Sequence, residues 1–357
     1  MTRSTPAALG YAMPAEWHPH AATWLSWPKD PLTWLDRVPQ VEMIFVRMIE
    51  VLAEHETVHV LVNDEATRDQ VRARMPWPQA RAVQLHVIPT VDSWIRDYGP
   101  NFLLARPERR QPGEPLAHNA LAYNAWGFNA WGGKYETLTR DASVPRAIAP
   151  LLRVPVFEPG LVLEGGSIDV NGAGVVMTTE QCLLHPNRNP GRSKADLERA
   201  LRDFLGVSDV LWLGEGVAGD DTDGHIDDIA RFVSPRTIVC AVEEDPADPN
   251  YAPLQDNLRR LELARDPAGR PYQVVKLPMP GRIEAEGEPL PASYANFYIA
   301  NDVVLLPVYE HANDAQAIDT LSRLFPDRRV VPVSCEHLVW GMGAIHCATQ
   351  QQPKVLS

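Results

Sequence analysis

A short pattern recurs along this chain: two β-like runs joined by a tight turn, a helix with one apolar face, and a further strand. It is clearest from Ser167 onward. Residues 167–170 and 175–179 flank Asn171-Gly172-Ala173-Gly174, a sequence suited to chain reversal. A helix is predicted from Ser193, with Asp196 completing a capping pair. Leu197, Leu201, Phe204 and Leu205 make its apolar face, and Gly206 ends it. Residues 209–213 supply the closing strand.

The pattern returns twice more downstream. Residues 226–233 and 237–242 read as a hairpin across Ser234-Pro235-Arg236. A helix carrying Leu254, Leu258 and Leu261 and a strand at 273–277 follow. Residues 294–300 and 303–308 form a hairpin at Asn301-Asp302, followed by a helix at 314–324 and a strand at 330–334. A looser copy runs from Asn101 to about Val156. The strand at 23–27, the helix through Val41, Phe45, Met48 and Leu52, and the strand at 58–62 complete a fifth copy if a C-terminal strand near Cys347 supplies its beginning. Such self-similarity marks a repeat architecture. Five ββαβ-like units with joined chain ends predict an α/β propeller ring, one domain over residues 1–357. An ordinary α/β domain with coincidental spacing is the alternative.

Composition limits what the chain works on. Against 33 basic residues stand 46 acidic ones, a net charge of −13. This disfavours nucleic acid as a partner and suits a small cationic substrate. No apolar run approaches the roughly 18–20 residues of a membrane span, so no membrane partner is expected. The first residues lack a secretory signal's apolar segment. Cys182, Cys240, Cys335 and Cys347 show neither CxxC pairing nor a dense framework. A reduced cytoplasmic protein is expected. The sequence leaves a homodimer open.

Polar or glycine-rich segments precede the units: 93–100 with Trp94, Arg96 and Asp97, then Leu163-Glu164-Gly165-Gly166, then 221–228 with His225 and Asp227, and last 341–347 ending at Cys347. In a ring, equivalent positions converge on the axis. That would bring Asp97, Glu164, His225, Asp227 and Cys347 together.

Each has a plain and a chemical reading. A lone cysteine is usually a buried small hydrophobe, but Cys347 follows a glycine-rich turn where backbone N–H groups can approach a ligand. As a nucleophile it must be a thiolate. His225 and Asp227 are spaced i and i+2, so on a strand they share a face, a proton shuttle beside a carboxylate. The plain reading is a solvated acidic loop. Asp97 suits one arm of a carboxylate clamp for a planar cation, with the Trp94 indole over its stem; the plain reading pairs it with Arg96 or with a turn N–H. Glu164 is either a strand-end cap or a support for the His225 ring. Cys182, Cys240 and Cys335 read as structural. Gly214-Glu215-Gly216-Val217-Ala218-Gly219 fits a dinucleotide fingerprint, yet it runs into aspartates rather than a helix. No spacing supports a metal site.

With these motifs the chain closely resembles the agmatine deiminase family, related to the bacterial-type peptidylarginine deiminases. The matches are Met13-Pro14-Ala15-Glu16-Trp17, Trp94 to Pro100, Trp126 to Gly133, Leu163 to Ser167, Thr222 to Asp227 and Ile345 to Gln351. The resemblance implies the pentein fold, a five-bladed α/β-propeller. It implies hydrolysis of agmatine to N-carbamoylputrescine and ammonia, on the way to putrescine, with no metal or organic cofactor. Cys347 would be the nucleophile and His225 the general acid/base. Asp97 and Asp227 would clamp the guanidinium, with Glu164 in support. Trp94, Asp221 and Gly343 would bind substrate, Asp221 receiving the distal ammonium. The sequence departs from the family pattern at Met342 and Ala344, at Asp221 where glutamate is usual, and in a short stretch before Ser293. An arginine or peptidylarginine deiminase is the nearest alternative, an amidinotransferase the next, and a non-catalytic cation-binding protein the remote one.

Overall fold

The computed structural model describes residues 4–106, 108 and 119–356. Its architecture is mixed α/β. Five sheets of three or four strands account for the main strands, and a two-stranded hairpin of Glu284–Ala285 and Glu288–Pro289 lies apart from them.

One strand order, an antiparallel pair followed by a parallel strand, recurs in all five of these sheets. Ala230–Ser234 runs antiparallel to Thr237–Val242, and Gln273–Pro278 joins parallel to the latter. The helix Tyr251–Leu263 makes the crossover. It buries Leu254, Leu258 and Leu261, three leucines on one face at helical spacing. Truncating any of them to alanine would cost about 2–5 kcal/mol. Asp169–Val170, Val175–Thr179 and Asp209–Leu213 repeat the order around the helix Lys194–Leu205. That helix starts on a complete capping box from Ser193 and Asp196 and ends at Gly206 in a left-handed conformation, as its sequence requires. Tyr298–Ile299, Val303–Val308 and Arg329–Ser334 repeat it around Asp314–Leu324.

The fourth sheet, Asn101–Ala105, Leu121–Asn124 and Val156–Phe157, adds Tyr11–Ala12 at its edge. The fifth is built from both chain ends. Gln350–Pro353 runs antiparallel to His20–Ser26, and Thr57–Val62 and Val83–Val87 follow in parallel. The expected C-terminal strand is therefore present. Glu65–Ala73 and Val83–Val87 extend this unit beyond what the pattern predicts.

The opening strands are shorter than expected. Pairing begins at Asp169, Ala230 and Tyr298 rather than at Ser167, Ile226 and Tyr294. In two of these units the preceding residues instead form tight helical turns, Gly165–Ser167 and Ile226–Asp228. Among the described residues, no helix is long and apolar enough to cross a membrane.

Candidate active site

Asp97 lies on the short helix Ile95–Tyr98. Its Oδ1 accepts from the Gly166 N–H at 2.9 Å, and its Oδ2 from Trp131 Nε1 at 2.9 Å. The glycine pair after Glu164 makes this approach feasible. A Cβ on Gly165 would stand 2.1 Å from the Arg96 carbonyl oxygen, and one on Gly166 2.6 Å from His225 Nδ1. Burial first of all, then Asp227 and Glu164, push the Asp97 carboxyl up to about 6 against the opposing pull of His225.

His225 is fully buried, and among the described residues neither ring nitrogen has a hydrogen-bond partner. Nδ1 lies 3.7 Å from Asp97 Oδ1. Burial acts to lower its affinity for a proton, but Asp97, Cys182 and Asp227 outweigh it and hold the imidazole well above its ordinary range. His225 and Asp227 do not sit on a strand as expected. His225 is extended and Asp227 lies in the turn that follows, so a change of chain direction brings them together.

Asp227 is also fully buried. Its Oδ2 meets His346 Nδ1 at 2.6 Å, while Oδ1 has no partner among the described residues. Burial raises this carboxyl, yet the hydrogen bond and charge of His346, with His225 and Arg231, bring it below its usual value. Cys347 Sγ stands 3.6 Å from Asp227 Oδ2. Burial, then Asp227, Asp228 and Asp97, push the thiol well above the normal cysteine range. An unoccupied Cys347 therefore favours the thiol, and a cation placed among these carboxylates would favour the thiolate.

Asn296 belongs to the site, and the sequence did not single it out. Its Nδ2 donates to Cys347 Sγ at 3.1 Å and to Asp228 Oδ1 at 2.9 Å, and its Oδ1 accepts from the His346 N–H at 2.9 Å. A polar residue inside the apolar run Tyr294-Ala295-Asn296-Phe297-Tyr298 was the available signal.

Two expected pairings are corrected. Arg96 does not pair with Asp97. Its guanidinium points away, to Gln351 Oε1 at 2.7 Å, the His346 carbonyl at 3.2 Å and Glu16 Oε2 at 3.5 Å. Glu164 spends Oε1 on Arg188 Nε at 2.7 Å rather than on a hydrogen bond to His225. Arg188 also bonds Asp223 and the Thr222 carbonyl, so it ties Glu164 to the segment that leads into His225. Glu164, Cys182 and His225 have metal-ligand spacing, with ligand-type atoms within 4.8 Å of one another. Arg188 already occupies one of those carboxylate oxygens.

A cavity of about 270 Å³ opens onto Cys347 and Asp97. Trp94 and Met342 line it, and Asp221 stands in its wall with its carboxylate bonded to the Tyr135 hydroxyl. Gly343 packs under Trp94, where a Cβ would come 2.9 Å from the indole Cζ3. Met342 has φ +66, the left-handed region that favours glycine. Among the described residues lining the cavity are four aspartates, Asp30, Asp92, Asp97 and Asp221, and no lysine or arginine.

The family model for the Porphyromonas-type peptidyl-arginine deiminases matches residues 12–353. The agmatine deiminase of Ectopseudomonas mendocina is 38% identical over 370 residues, covering 98% of this chain and 97% of that protein. The solved agmatine deiminase of Enterococcus faecalis superposes with a TM-score of 0.90 at 34% identity, covering 99% of each chain. A cysteine-to-serine variant of the C. jejuni agmatine deiminase with substrate bound gives 0.85 at 27% identity, covering 97% of each.

Proposed function

The chain belongs to the Porphyromonas-type peptidyl-arginine deiminase family, and from that premise we propose that it hydrolyses agmatine to N-carbamoylputrescine and ammonia. The observation that carries the choice of substrate is the acidic lining of the cavity: Asp30, Asp97 and Asp221, with Asp92 pushed up to about 7 by burial and so only partly charged, and no lysine or arginine among the described lining residues. Agmatine is cationic at both ends. Free arginine would bring a carboxylate into the same wall, and a buried carboxylate facing like charge is strongly disfavoured. Asp221 is the group proposed for the distal ammonium.

In this reading Asp97 and Asp227 hold the guanidinium N–H groups. The unpartnered Asp227 Oδ1 is the acceptor this requires. The bound cation offsets the carboxylates around Cys347, the thiol gives up its proton to solvent, and the resulting thiolate attacks the guanidinium carbon. Protonated His225 gives its proton to the departing nitrogen, ammonia leaves, and a cationic thiouronium remains on sulfur. His225 then takes a proton from water as the oxygen adds to that carbon. The carbon–sulfur bond breaks, Cys347 departs as thiolate, and the ureido product forms with loss of one further proton. Asn296 steadies the sulfur, and Glu164 acts through Arg188 on the His225 segment. Trp94 covers the alkyl chain, and Gly343 leaves room for it.

The whole of residues 1–357 is read as one catalytic unit, with the five sheets as blades of a pseudo-fivefold ring. Three observations support this: the repeated strand order, the sheet shared by both chain ends, and the meeting of Asp97, Glu164, His225, Asp227 and Cys347 from separate units. Four free, buried cysteines fit a reducing cytoplasm.

Steady-state ammonia release from agmatine, arginine and a blocked arginyl peptide tests the substrate. Agmatine is expected to give by far the highest kcat/KM. An arginine value equal to or above it would overturn the substrate while leaving the deiminase chemistry standing.

A further inference from the structure

His346 precedes the proposed nucleophile and is almost wholly buried. Each of its ring nitrogens faces a carboxylate. Nδ1 is 2.6 Å from Asp227 Oδ2, and Nε2 is 2.8 Å from Glu16 Oε2. A neutral imidazole has one N–H and one lone pair, so one of these contacts would set a lone pair against a carboxylate oxygen. With both acids ionised, both contacts are hydrogen bonds only if both nitrogens carry protons.

Both acids have reason to be ionised. Glu16 has cations other than His346 beside it: Arg231 Nη2 lies 2.9 Å from its Oε1 and Arg96 Nη2 3.5 Å from its Oε2. Asp227 likewise has the charges of His225 and Arg231 acting against its burial. Around His346 stand the carboxylates Glu16 and Asp227 and, one step further, Asp169, with the guanidiniums Arg96 and Arg231 among them. Arg231 also bonds Asp169.

We propose that His346 is an imidazolium that positions Asp227, occupying its Oδ2 so that Oδ1 alone is presented to the substrate guanidinium. This deepens the clamp reading and rests on it. His346 is a positioning residue, acting through Asp227. Its backbone N–H is fixed by Asn296, which also reaches Cys347 Sγ, so the ring anchors the nucleophile's neighbour as well. Replacing it by glutamine removes a cation and one of two donors. Asp227 is then freer to turn, and the uncompensated charge makes the Cys347 thiolate harder to form.

The first test is ¹⁵N NMR of histidine-labelled protein at neutral pH without substrate, with His346 assigned by its loss in His346→Gln. Two protonated ring nitrogens are expected, and one bare nitrogen would overturn the proposal. The second is kinetics of His346→Gln with agmatine. Supporting groups of this kind are worth about 10–100-fold in activity. We expect a loss of kcat/KM in that range, a higher KM and an acid limb displaced to higher pH, in a protein with a native circular dichroism spectrum. An unchanged kcat/KM and pH profile would sink it. If His346→Gln fails to fold, wild-type NMR decides, with assignment through specific ¹³C–¹⁵N labelling of Ile345 and His346. A wild type inactive on every guanidine would instead refute the proposed function, and the ring spectrum would still report the charge.

Discussion

Two polar regions meet at Cys347 and differ in how their hydrogen bonds are used. Behind the thiol, Glu16, Arg96, Asp169, Arg231 and His346 form a closed cluster of mutual contacts. In front of it, His225 has two unpartnered ring nitrogens and Asp227 one unpartnered oxygen, all buried. Asp97 has partners for both oxygens, yet its carboxyl is pushed up to about 6, chiefly by burial. Buried polar groups are normally satisfied because leaving them bare is costly. The rear cluster therefore reads as scaffold, and the front presents, among the described residues, one free acceptor, Asp227 Oδ1, beside the ring N–H groups of a His225 held well above its ordinary range.

The sharpest way to break this distinction is Cys347→Ser. Turnover should fall by roughly four powers of ten or more, as for other catalytic nucleophiles, while agmatine still binds in calorimetry. A quenched wild-type reaction should show a covalent adduct on Cys347 by mass spectrometry. Near-wild-type activity in the variant would remove Cys347 from the mechanism.

Next come paired substitutions on the two sides. Asp97→Asn and Asp227→Asn each take a charged partner from a buried cation, on the order of 3–5 kcal/mol. That is roughly two to four powers of ten in kcat/KM. Asp97→Asn should change stability little near neutral pH, because two effects offset each other. Its NH2 must face the Gly166 or Trp131 N–H, a cost of about 1–3 kcal/mol. A carboxyl raised from 3.8 to about 6 on folding costs stability as pH rises through that window, and the amide removes the cost. Arg231→Met has no such offset. It strands Glu16 and Asp169 and should lower unfolding free energy by about 3–5 kcal/mol. Urea denaturation beside kinetics reads both, and an Asp97→Asn variant destabilised as much as Arg231→Met would erase the distinction.

Gly343→Ala is a smaller probe of the front wall. A methyl group 2.9 Å from Trp94 must displace the indole, and overpacking of this kind costs about 1–3 kcal/mol. A drop in kcat/KM of about tenfold is expected, compared across agmatine and shorter guanidines. Equal kinetics would show that Trp94 is free to move. The smallest effect is in pH. Asp97 is charged only above about 6, so kcat/KM should rise with pH through an inflection there. Asp97→Asn should abolish that inflection; its persistence would assign it to another group.

Much of this was legible from local rules. The capping box at Ser193 and Asp196, the stop at Gly206 and the leucine face at 254, 258 and 261 are short-range patterns, and the structure keeps them. Partnering was less legible. Adjacency suggested Arg96 with Asp97, and i, i+2 spacing suggested a strand for His225 and Asp227. Arg96 instead turns toward Glu16 and Gln351, and a tight turn carries Asp227. Asn296 and His346 went unassigned because each acts through groups far away in the chain.

The sequence by itself determined the repeated unit and its helices, with the capping box at Ser193 and the stop at Gly206, because periodicity and capping are decided within a few residues. Tertiary structure alone decided which oxygen of Asp227 is occupied, which carboxylates share His346, and where Arg96 points. Those outcomes depend on what burial leaves within about 3 Å of each polar atom, and no local stretch of sequence contains that information.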